Sequence, residues 1–234
     1  MAAGVSIYSI HDLALTISFD LGIGEEAHRI VMLLKKELEK GVTKEIVDIV
    51  PAYNSLSVYF SSKTALMLAM AGIKKIATEI ATSPTTSTAT SVETKTNTLV
   101  EIPVCYELPF AIDTPAILAR LGMSQEEIIQ RHSQKKYTVY MNGFIPGFSY
   151  MGTLDSRLEL PRKKVPTGSV PAGSVAIAAQ QTGIYPFESP GGWHIIGRTP
   201  IKMFEKNRSP ACLLQPGDTV LFYPITVSEL ENWL

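Results

Sequence analysis

The sequence predicts an α+β protein, with a small N-terminal α+β domain followed by a β-barrel domain. In residues 1–82, pairs of short alternating strands are each followed by an amphipathic helix. Residues 83–98 form a Ser/Thr-rich segment with almost no large apolar group, which is typical of a linker. Residues 99–234 are rich in glycine and proline, which indicates many tight turns between short strands.

The elements of the first domain follow from the spacing of its apolar residues. We predict strands over 5–10 and 13–19, a helix over 25–40, strands over 45–50 and 56–60, and a helix over 63–81. One face of the first helix gathers Ala27, Ile30, Val31, Leu34 and Leu38. Gly41 is its predicted C-cap, and His28 is interpreted as solvated among the charged residues of this helix.

The second domain begins with a strand and two helices whose starts carry capping signals. We predict a strand over 99–105, helices over 115–121 and 125–132, and strands over 137–142, 174–178, 193–196, 200–204 and 219–223. Thr114 is the predicted N-cap before Pro115, and Ser124 with Glu127 forms a predicted capping box. His132 ends the second helix, where a protonated imidazole would favour the helix dipole. The short strands indicate a closed barrel, because closure removes exposed strand edges.

Composition and charge limit the classes of partner. The chain has 21 basic and 22 acidic residues, which argues against a nucleic-acid partner. Its N-terminus has no pattern of a signal peptide, and no apolar run approaches the roughly 20 residues that span a bilayer. Cys105 and Cys212 form no CxxC pair and fit a reducing compartment. The expectation is a soluble cytoplasmic protein that binds neither nucleic acid nor membrane.

Known catalytic patterns do not stand out in the sequence. The four histidines lack metal-ligand spacing, and the nucleophile elbow, the phosphate loop and the dinucleotide fingerprint do not occur. Asp113, Asp155 and Asp218 are interpreted as turn formers. Arg162 and Arg198 lie inside the glycine-proline region, where a guanidinium can hold a carboxylate or phosphate with two hydrogen bonds. A role as an ordinary surface arginine is the alternative for each.

Several linked motifs carry a resemblance to a known family. They are G-F-I-P-G-F-S-Y-M-G, L-P-R, V-P-A-G-S-V, Q-T-G-I-Y-P and S-P-G-G-W-H-I-I-G-R-T-P, in this order. On these motifs the chain resembles the family called allophanate hydrolase subunit 1, KipI or the B-type subunit of 5-oxoprolinase. The resemblance is dense over 137–224 and collinear elsewhere. It implies an α+β N-terminal domain followed by a cyclophilin-like β-barrel.

The resemblance also implies one component of an enzyme, inactive alone. The B-type subunit of a 5-oxoprolinase acts with a KipA-like C-type subunit and with an amidohydrolase-like A-type subunit to open 5-oxoproline to glutamate. ATP is used by that complex, and no metal site is visible in this chain. Two alternatives stay open: a KipI-like protein that binds and inhibits a sensor histidine kinase, or a carboxyltransferase module of the urea carboxylase or allophanate hydrolase type.

The chain departs from the family pattern at identifiable positions. Ser149 stands where the family usually has the proline of G-F-P-Y. Thr167 stands where the family usually has the arginine of T-P-R, so one cation of the family pattern is missing. The loop after Tyr106 keeps only Asp113 of the usual G-P-D sequence.

A set of aromatic and polar residues is predicted to line a substrate-binding cleft shared with the C-type subunit. The set consists of Phe144, Phe148, Tyr150, Arg162, Gln181, Tyr185, Trp193, His194 and Arg198. The turn at Pro190-Gly191-Gly192 should present the ring that follows it, and the rings on either side of Pro146-Gly147 should not all fit in the core. The alternative is that the aromatic rings fill the barrel and Arg198 is merely solvated.

Overall fold

The computed structural model describes residues 3–41, 45–82 and 98–233. The chain divides into two compact units, Met1–Thr96 and Asn97–Leu234. The predicted linker, 83–98, lies outside the described residues except for Thr98, and its place as a domain boundary stays a prediction. In the described parts of the chain, no helix is long and apolar enough to cross a bilayer.

The first unit has the predicted order of two strands and a helix, repeated once. Its elements are β1 (Val5–His11), β2 (Ala14–Phe19), α1 (Glu25–Gly41), β3 (Ile46–Ala52), β4 (Ser55–Phe60) and α2 (Lys63–Thr82). The strands form an antiparallel sheet in the order β1-β2-β4-β3. All five residues of the predicted apolar face of α1 are buried, and all but Ala27 belong to a core shared with β2, β4 and α2.

His28 differs from its predicted solvated position. It is 6% exposed, and burial lowers the pKa of its imidazole to about 4. The prediction was wrong because His28 lies one turn from Val31, on the flank of the apolar face, and not among the outward-facing charges.

The described part of the second unit contains the barrel, three α-helices, one turn of 3-10 helix (Ser156–Leu158) and a small separate sheet. Its elements are β5 (Leu99–Cys105), α3 (Thr114–Leu121), α4 (Gln125–Ser133), β6 (Lys136–Asn142), β7 (Ser149–Gly152), β8 (Thr167–Val170), β9 (Ser174–Ala178), β10 (Gln181–Ile184), β11 (Ser189–Gly191), β12 (His194–Arg198), β13 (Thr219–Ile225) and α5 (Val227–Glu231). Seven strands close in the order β10-β7-β6-β13-β5-β12-β9, while β8 and β11 pair with each other. The predicted α+β fold with a β-barrel is confirmed.

The barrel interior is apolar, and one strand pair in the barrel is parallel. The interior cluster includes Val104, Val139, Met151, Ile177 and Val220, each with 0% exposure. Strands β5 and β13 run parallel, with Leu99 opposite Thr219 and Cys105 opposite Ile225. Cys105 is buried and unbridged, as expected of a cysteine that acts as a small apolar residue.

Some predicted boundaries in the second unit need correction. Residues 200–204 are not a strand, because Arg208 donates hydrogen bonds to the carbonyl groups of Lys202 and Met203 and holds this segment as a loop. Thr114 is not the N-cap of α3. Asp113 takes that position, but its side chain makes no capping bond. The capping box of Ser124 and Glu127 is confirmed.

His132 lies at the end of α4 but not at the surface. Its imidazole is fully buried, and burial lowers its pKa to about 3, so the ring is neutral. Nε2 donates to Thr182 Oγ1 at 2.8 Å, because the Thr182 hydroxyl itself donates to the Ala176 carbonyl. Nδ1 then accepts from Tyr106 Oη at 2.7 Å. The predicted role as a helix-terminal cation was therefore wrong, and His132 is a polar bridge inside the second unit.

Candidate functional site

A cavity of about 270 Å³ opens beside the small β8–β11 sheet. Its lining consists of Phe144, Phe148, Tyr150, Arg162, Pro166, Tyr185, Pro190, Gly191, Gly192 and Trp193. Six of the nine residues predicted from the sequence are thus brought together around one space. They come from the loop before β7, from β7 itself, and from the segments that precede β8, follow β10 and precede β12.

Five aromatic rings form the wall of the cavity, with Phe148 at their centre. The Phe148 ring centroid lies 5.7 Å from Phe144, 4.9 Å from Tyr150, 5.2 Å from Tyr185 and 5.5 Å from Trp193, each in an edge-to-face arrangement. Such contacts add to the stability that ring burial already supplies. Phe148 is 2% exposed and Phe144 is 59% exposed, so Phe148 forms the floor and Phe144 the rim.

These rings lie outside the barrel interior. Val175 and Ile177 of β9 point into the barrel core, whereas Ala176 and Ala178 pack with Phe148, Tyr185 and Trp193 in a separate cluster. Because successive residues of a strand face opposite sides, this second cluster covers the outer face of β9. The alternative in which the aromatic rings fill the barrel is therefore wrong, and the cavity is built on the outer surface of the barrel.

Glycine is required at two positions to bring these rings together. A Cβ on Gly191 would meet Tyr185 Cζ at 2.6 Å and would overlap its hydroxyl oxygen. A Cβ on Gly183 would meet Phe148 Cζ at 2.9 Å. The glycines of this region therefore allow close packing of ring against backbone, in addition to forming turns.

Arg162 is the charged residue in the cavity lining. Its side chain is exposed, and it makes no hydrogen bond or ion pair with another described residue. Burial raises the pKa of the Tyr150 and Tyr185 phenols, and the positive charge of Arg162 opposes this rise in both. The guanidinium therefore acts electrostatically on two walls of the cavity. Both phenols stay protonated at neutral pH and can donate hydrogen bonds.

A largely buried ion pair holds the segment that carries Arg162. Lys163 Nζ lies 2.5 Å from Asp113 Oδ2, and their side chains are only 15% and 19% exposed. The same carboxylate oxygen accepts a hydrogen bond from the Ile195 backbone N–H at 2.7 Å. Lys163 also donates to Thr167 Oγ1, at the position where the family pattern has arginine. Asp113 therefore does more than form the turn that the sequence predicted.

Backbone contacts tie the same segment to the strand that follows Trp193. The Lys163 N–H donates to the Gly192 carbonyl at 2.8 Å, and the His194 ring lies 2.9 Å from the Pro161 carbonyl through Nε2. Together with the Asp113 ion pair, these bonds fix the backbone on both sides of Arg162. The backbone that carries Arg162 is therefore held beside the cavity.

Three predicted site residues do not line this cavity. Gln181 lies in β10, opposite Gly152 of β7 and Ala178 of β9. The His194 ring faces Pro161. Arg198 donates from Nε to the Ala172 carbonyl at 3.0 Å, and its guanidinium lies 5.9 Å from the centre of the Phe110 ring. A role in ligand binding for these three residues stays a prediction.

The residues that sequence reasoning missed are mainly those that position the site. Nothing in the sequence pairs Lys163 with Asp113, which lies in a distant loop, although the retained aspartate of the family pattern was a signal that it matters. Pro166 completes the cavity wall and was passed over as a turn residue. Among the described residues, no group of three or more His, Cys, Asp or Glu side chains is placed to hold a metal ion.

Comparison with known proteins shows which sequences and structures resemble this chain. The family profile for the carboxyltransferase domain, subdomain C and D, matches residues 5–214. The B-type subunit of 5-oxoprolinase from Bacillus subtilis is 35% identical over 235 residues, which cover 100% of this chain and 98% of that protein. The B-type subunit of 5-oxoprolinase from Haemophilus influenzae is 50% identical over 123 residues, which cover 53% of this chain and 58% of that protein.

A solved structure shares the fold along nearly the whole chain. The crystal structure of TTHA0988 superposes with a TM-score of 0.75 at 32% sequence identity. The superposition covers 94% of this chain and 40% of the TTHA0988 chain, so this chain spans less than half of that longer protein.

Proposed function

Since the chain belongs to the family of the carboxyltransferase domain, subdomain C and D, we propose that it works as the B-type subunit of an ATP-dependent 5-oxoprolinase. The observation that carries this proposal is the similarity to the Bacillus subtilis protein of that name, which extends over the full length of both chains. The Haemophilus influenzae relative bears the same name and is more similar over the part that it matches.

The cavity supports a role in binding and orientation. Its ionisable groups are two phenols that stay protonated and one arginine, so it offers hydrogen-bond donors and a fixed positive charge. Opening a lactam is difficult because its carbonyl is a poor electrophile. ATP can activate that carbonyl by phosphorylation, and preorganised donors then stabilise the charge that develops. We assign this chain the task of holding the lactam while the complex uses ATP.

The partners in this proposal are the KipA-like C-type subunit of 5-oxoprolinase and its amidohydrolase-like A-type subunit, in the cytoplasm. The cavity mouth is the face that we assign to the C-type partner. Phe144 is 59% exposed at this rim, and in this proposal the C-type subunit covers it.

Reconstitution tests the proposal. The purified chain is mixed with candidate C-type and A-type subunits, and release of glutamate from 5-oxoproline is measured with and without ATP. We expect ATP-dependent release only when all three proteins are present. A mixture without this chain serves as the control. Release that does not depend on this chain, or a complete mixture of folded proteins without release, would contradict the proposal.

The name of the matching family profile favours a second candidate, a carboxyltransferase module. In that role the chain would help to transfer a carboxyl group from carboxybiotin on a carrier protein to a small amide. The same reconstituted mixture distinguishes the two roles when a carboxylated carrier protein is added to it and loss of the carboxyl group from that carrier is measured. Transfer that requires this chain, together with no ATP-dependent glutamate release, would favour the second candidate.

A further inference from the structure

We propose that the cavity beside the β8–β11 sheet binds a small ring compound that carries a carboxylate and no ammonium group, with Arg162 as the residue that holds the carboxylate. The assignment of 5-oxoproline as that compound rests on the proposed function. The charge and size of the ligand follow from the cavity itself. The nucleotide used by the complex binds elsewhere.

The size of the cavity sets the size of the ligand. A volume of about 270 Å³ has room for roughly nine water molecules, at about 30 Å³ each. It lies just below the range of about 300–1,000 Å³ that is usual for drug-sized ligands. A five-membered lactam with one carboxylate fits this space, whereas a nucleoside triphosphate has roughly three times as many non-hydrogen atoms as that lactam.

The charges around the cavity favour an anion. Arg162 is exposed toward the cavity and makes no hydrogen bond or ion pair with any described residue. The neighbouring cation, Lys163, is already paired with Asp113 and is largely buried. A guanidinium without a protein partner presents its planar pair of donors to a carboxylate, which it can hold with two parallel hydrogen bonds.

The same charges disfavour a free amino acid. None of the described residues that line the cavity is an aspartate or a glutamate, so an ammonium group on the ligand would find no counter-charge there and would lie near the like charge of Arg162. A lactam nitrogen is neutral and avoids this penalty. The cavity is therefore suited to separate 5-oxoproline, which has a carboxylate and a neutral nitrogen, from proline, which has both charges on a ring of the same size.

The aromatic wall holds the ring of such a ligand. Tyr150 and Trp193 contact each other edge to face, with centroids 5.7 Å apart, and the buried Phe148 fixes both. Burial raises the pKa of the Tyr185 phenol, so the phenol keeps its proton at neutral pH and can donate it to a carbonyl oxygen. The apolar wall and the phenol donor are thus held by packing before the ligand arrives, which reduces the entropic cost of binding.

Direct binding measurements test this inference without any turnover. Isothermal titration of the purified chain, and of the reconstituted complex, is carried out with 5-oxoproline, 2-pyrrolidinone, proline and a non-hydrolysable ATP analogue. We expect 5-oxoproline to bind most tightly. 2-Pyrrolidinone, which lacks the carboxylate, and proline, which adds the ammonium, should each bind at least about 10-fold more weakly. The ATP analogue should not compete for this cavity.

Variants of Arg162 identify the residue responsible. Arg162→Gln should weaken 5-oxoproline binding about 10- to 100-fold, the range that corresponds to the loss of a charged hydrogen bond. The affinity for 2-pyrrolidinone should stay the same, because that ligand has no carboxylate to lose. Arg162→Lys should recover part of the loss, since it restores the charge without the planar pair of donors. Arg157→Gln removes an exposed arginine outside the cavity and should leave binding unchanged.

The outcomes separate this inference from the proposed function. If Arg162→Gln binds 5-oxoproline as tightly as the wild type, or if the ATP analogue displaces 5-oxoproline, the inference is overturned even when the complex releases glutamate. Failure of both the chain and the complex to bind 5-oxoproline or any ring carboxylate would also overturn it. If binding depends on Arg162 but the complete complex never releases glutamate, the cavity assignment stands and the 5-oxoprolinase proposal fails.

Discussion

The ion pair between Asp113 and Lys163 can be tested by replacing each partner. Asp113→Asn keeps the shape of the side chain and an oxygen that accepts from the Ile195 N–H, but it removes the charge that faces Lys163. We expect the free energy of unfolding of the second unit to fall, because the lysine is only 15% exposed and would be left without its counter-charge. The backbone at Arg162, the residue before Lys163, should also be held less firmly.

The expected magnitude follows from the burial of the pair. Exposed ion pairs contribute about 0–1 kcal/mol, and breaking a fully buried one costs about 3–5 kcal/mol. Side chains that are 15% and 19% exposed lie between these limits, so we expect Asp113→Asn to cost about 2 kcal/mol. Lys163→Met should cost about 1–2 kcal/mol. The double variant should cost less than the sum of the two by about 1 kcal/mol or more, because the partners are in direct contact.

Urea unfolding at neutral pH measures these differences, and 5-oxoproline titration of the same variants measures the effect on the cavity. Asp12→Asn is the matched control, because Asp12 pairs with Lys63 at 3.1 Å but both side chains are mostly exposed. It should cost less than about 1 kcal/mol. If Asp113→Asn and Asp12→Asn cost the same, or if the effects of Asp113→Asn and Lys163→Met are additive, the ion pair between Asp113 and Lys163 does not stabilise the second unit.

Four further predictions concern packing, acidity, activity and assembly. Gly191→Ala should cost about 1–3 kcal/mol and weaken ligand binding, because its Cβ overlaps Tyr185. Gly192→Ala should be tolerated, since the nearest atom to a Cβ there is 4.0 Å away. Equal urea midpoints for these two variants would count against the prediction. Burial lowers the folded-state pKa values of His28 and His132 to about 4 and about 3, below the usual 6.5, so the unfolded state binds more protons than the folded state. The free energy of unfolding should therefore fall as the pH drops below about 6.5, by up to about 1.4 kcal/mol per pH unit for each group. A free energy of unfolding that stays constant between pH 7 and 5 would refute this prediction. The purified chain alone should release no glutamate from 5-oxoproline, with or without ATP, and robust turnover by the single chain would show that it is a complete enzyme. The chain should form a complex with the C-type subunit that buries at least about 1,200 Å² in total, and two separate peaks in size-exclusion chromatography of a micromolar mixture would contradict this.

Periodicity was sufficient to predict the first unit and the longer elements of the second. The apolar face of α1 and the capping box before α4 depend on neighbouring residues in the chain, so a local pattern contains the necessary information. The strands β8 and β11 are four and three residues long and pair only with each other, and such short segments show no clear alternation. They were therefore read as turns, although they frame the cavity.

The candidate site was predicted in part for a similar reason. The six cavity residues lie in glycine- and proline-rich segments whose composition marks them as a group. Sequence could not separate Arg162 from Arg198, because both lie inside the glycine-proline region and what distinguishes them is their surroundings after folding. In the folded protein Arg198 contacts a carbonyl group and a phenylalanine ring, whereas Arg162 lines the cavity. Burial of His132 likewise depends on Tyr106 and Thr182, which are far away in the chain.

The position of β13 in the barrel has a consequence for synthesis on the ribosome. This last barrel strand lies between β5 and β6, which are the first two barrel strands to be made. Until residues 219–225 emerge, β5 and β6 each keep a row of unpaired backbone groups, and the barrel cannot close. We therefore expect the nascent barrel to stay open and exposed to incorrect strand pairing until residues 219–225 have been made, because contacts between such distant segments form late. Closure of the barrel that carries the aromatic cavity on its outer face must then wait for residues 219–225.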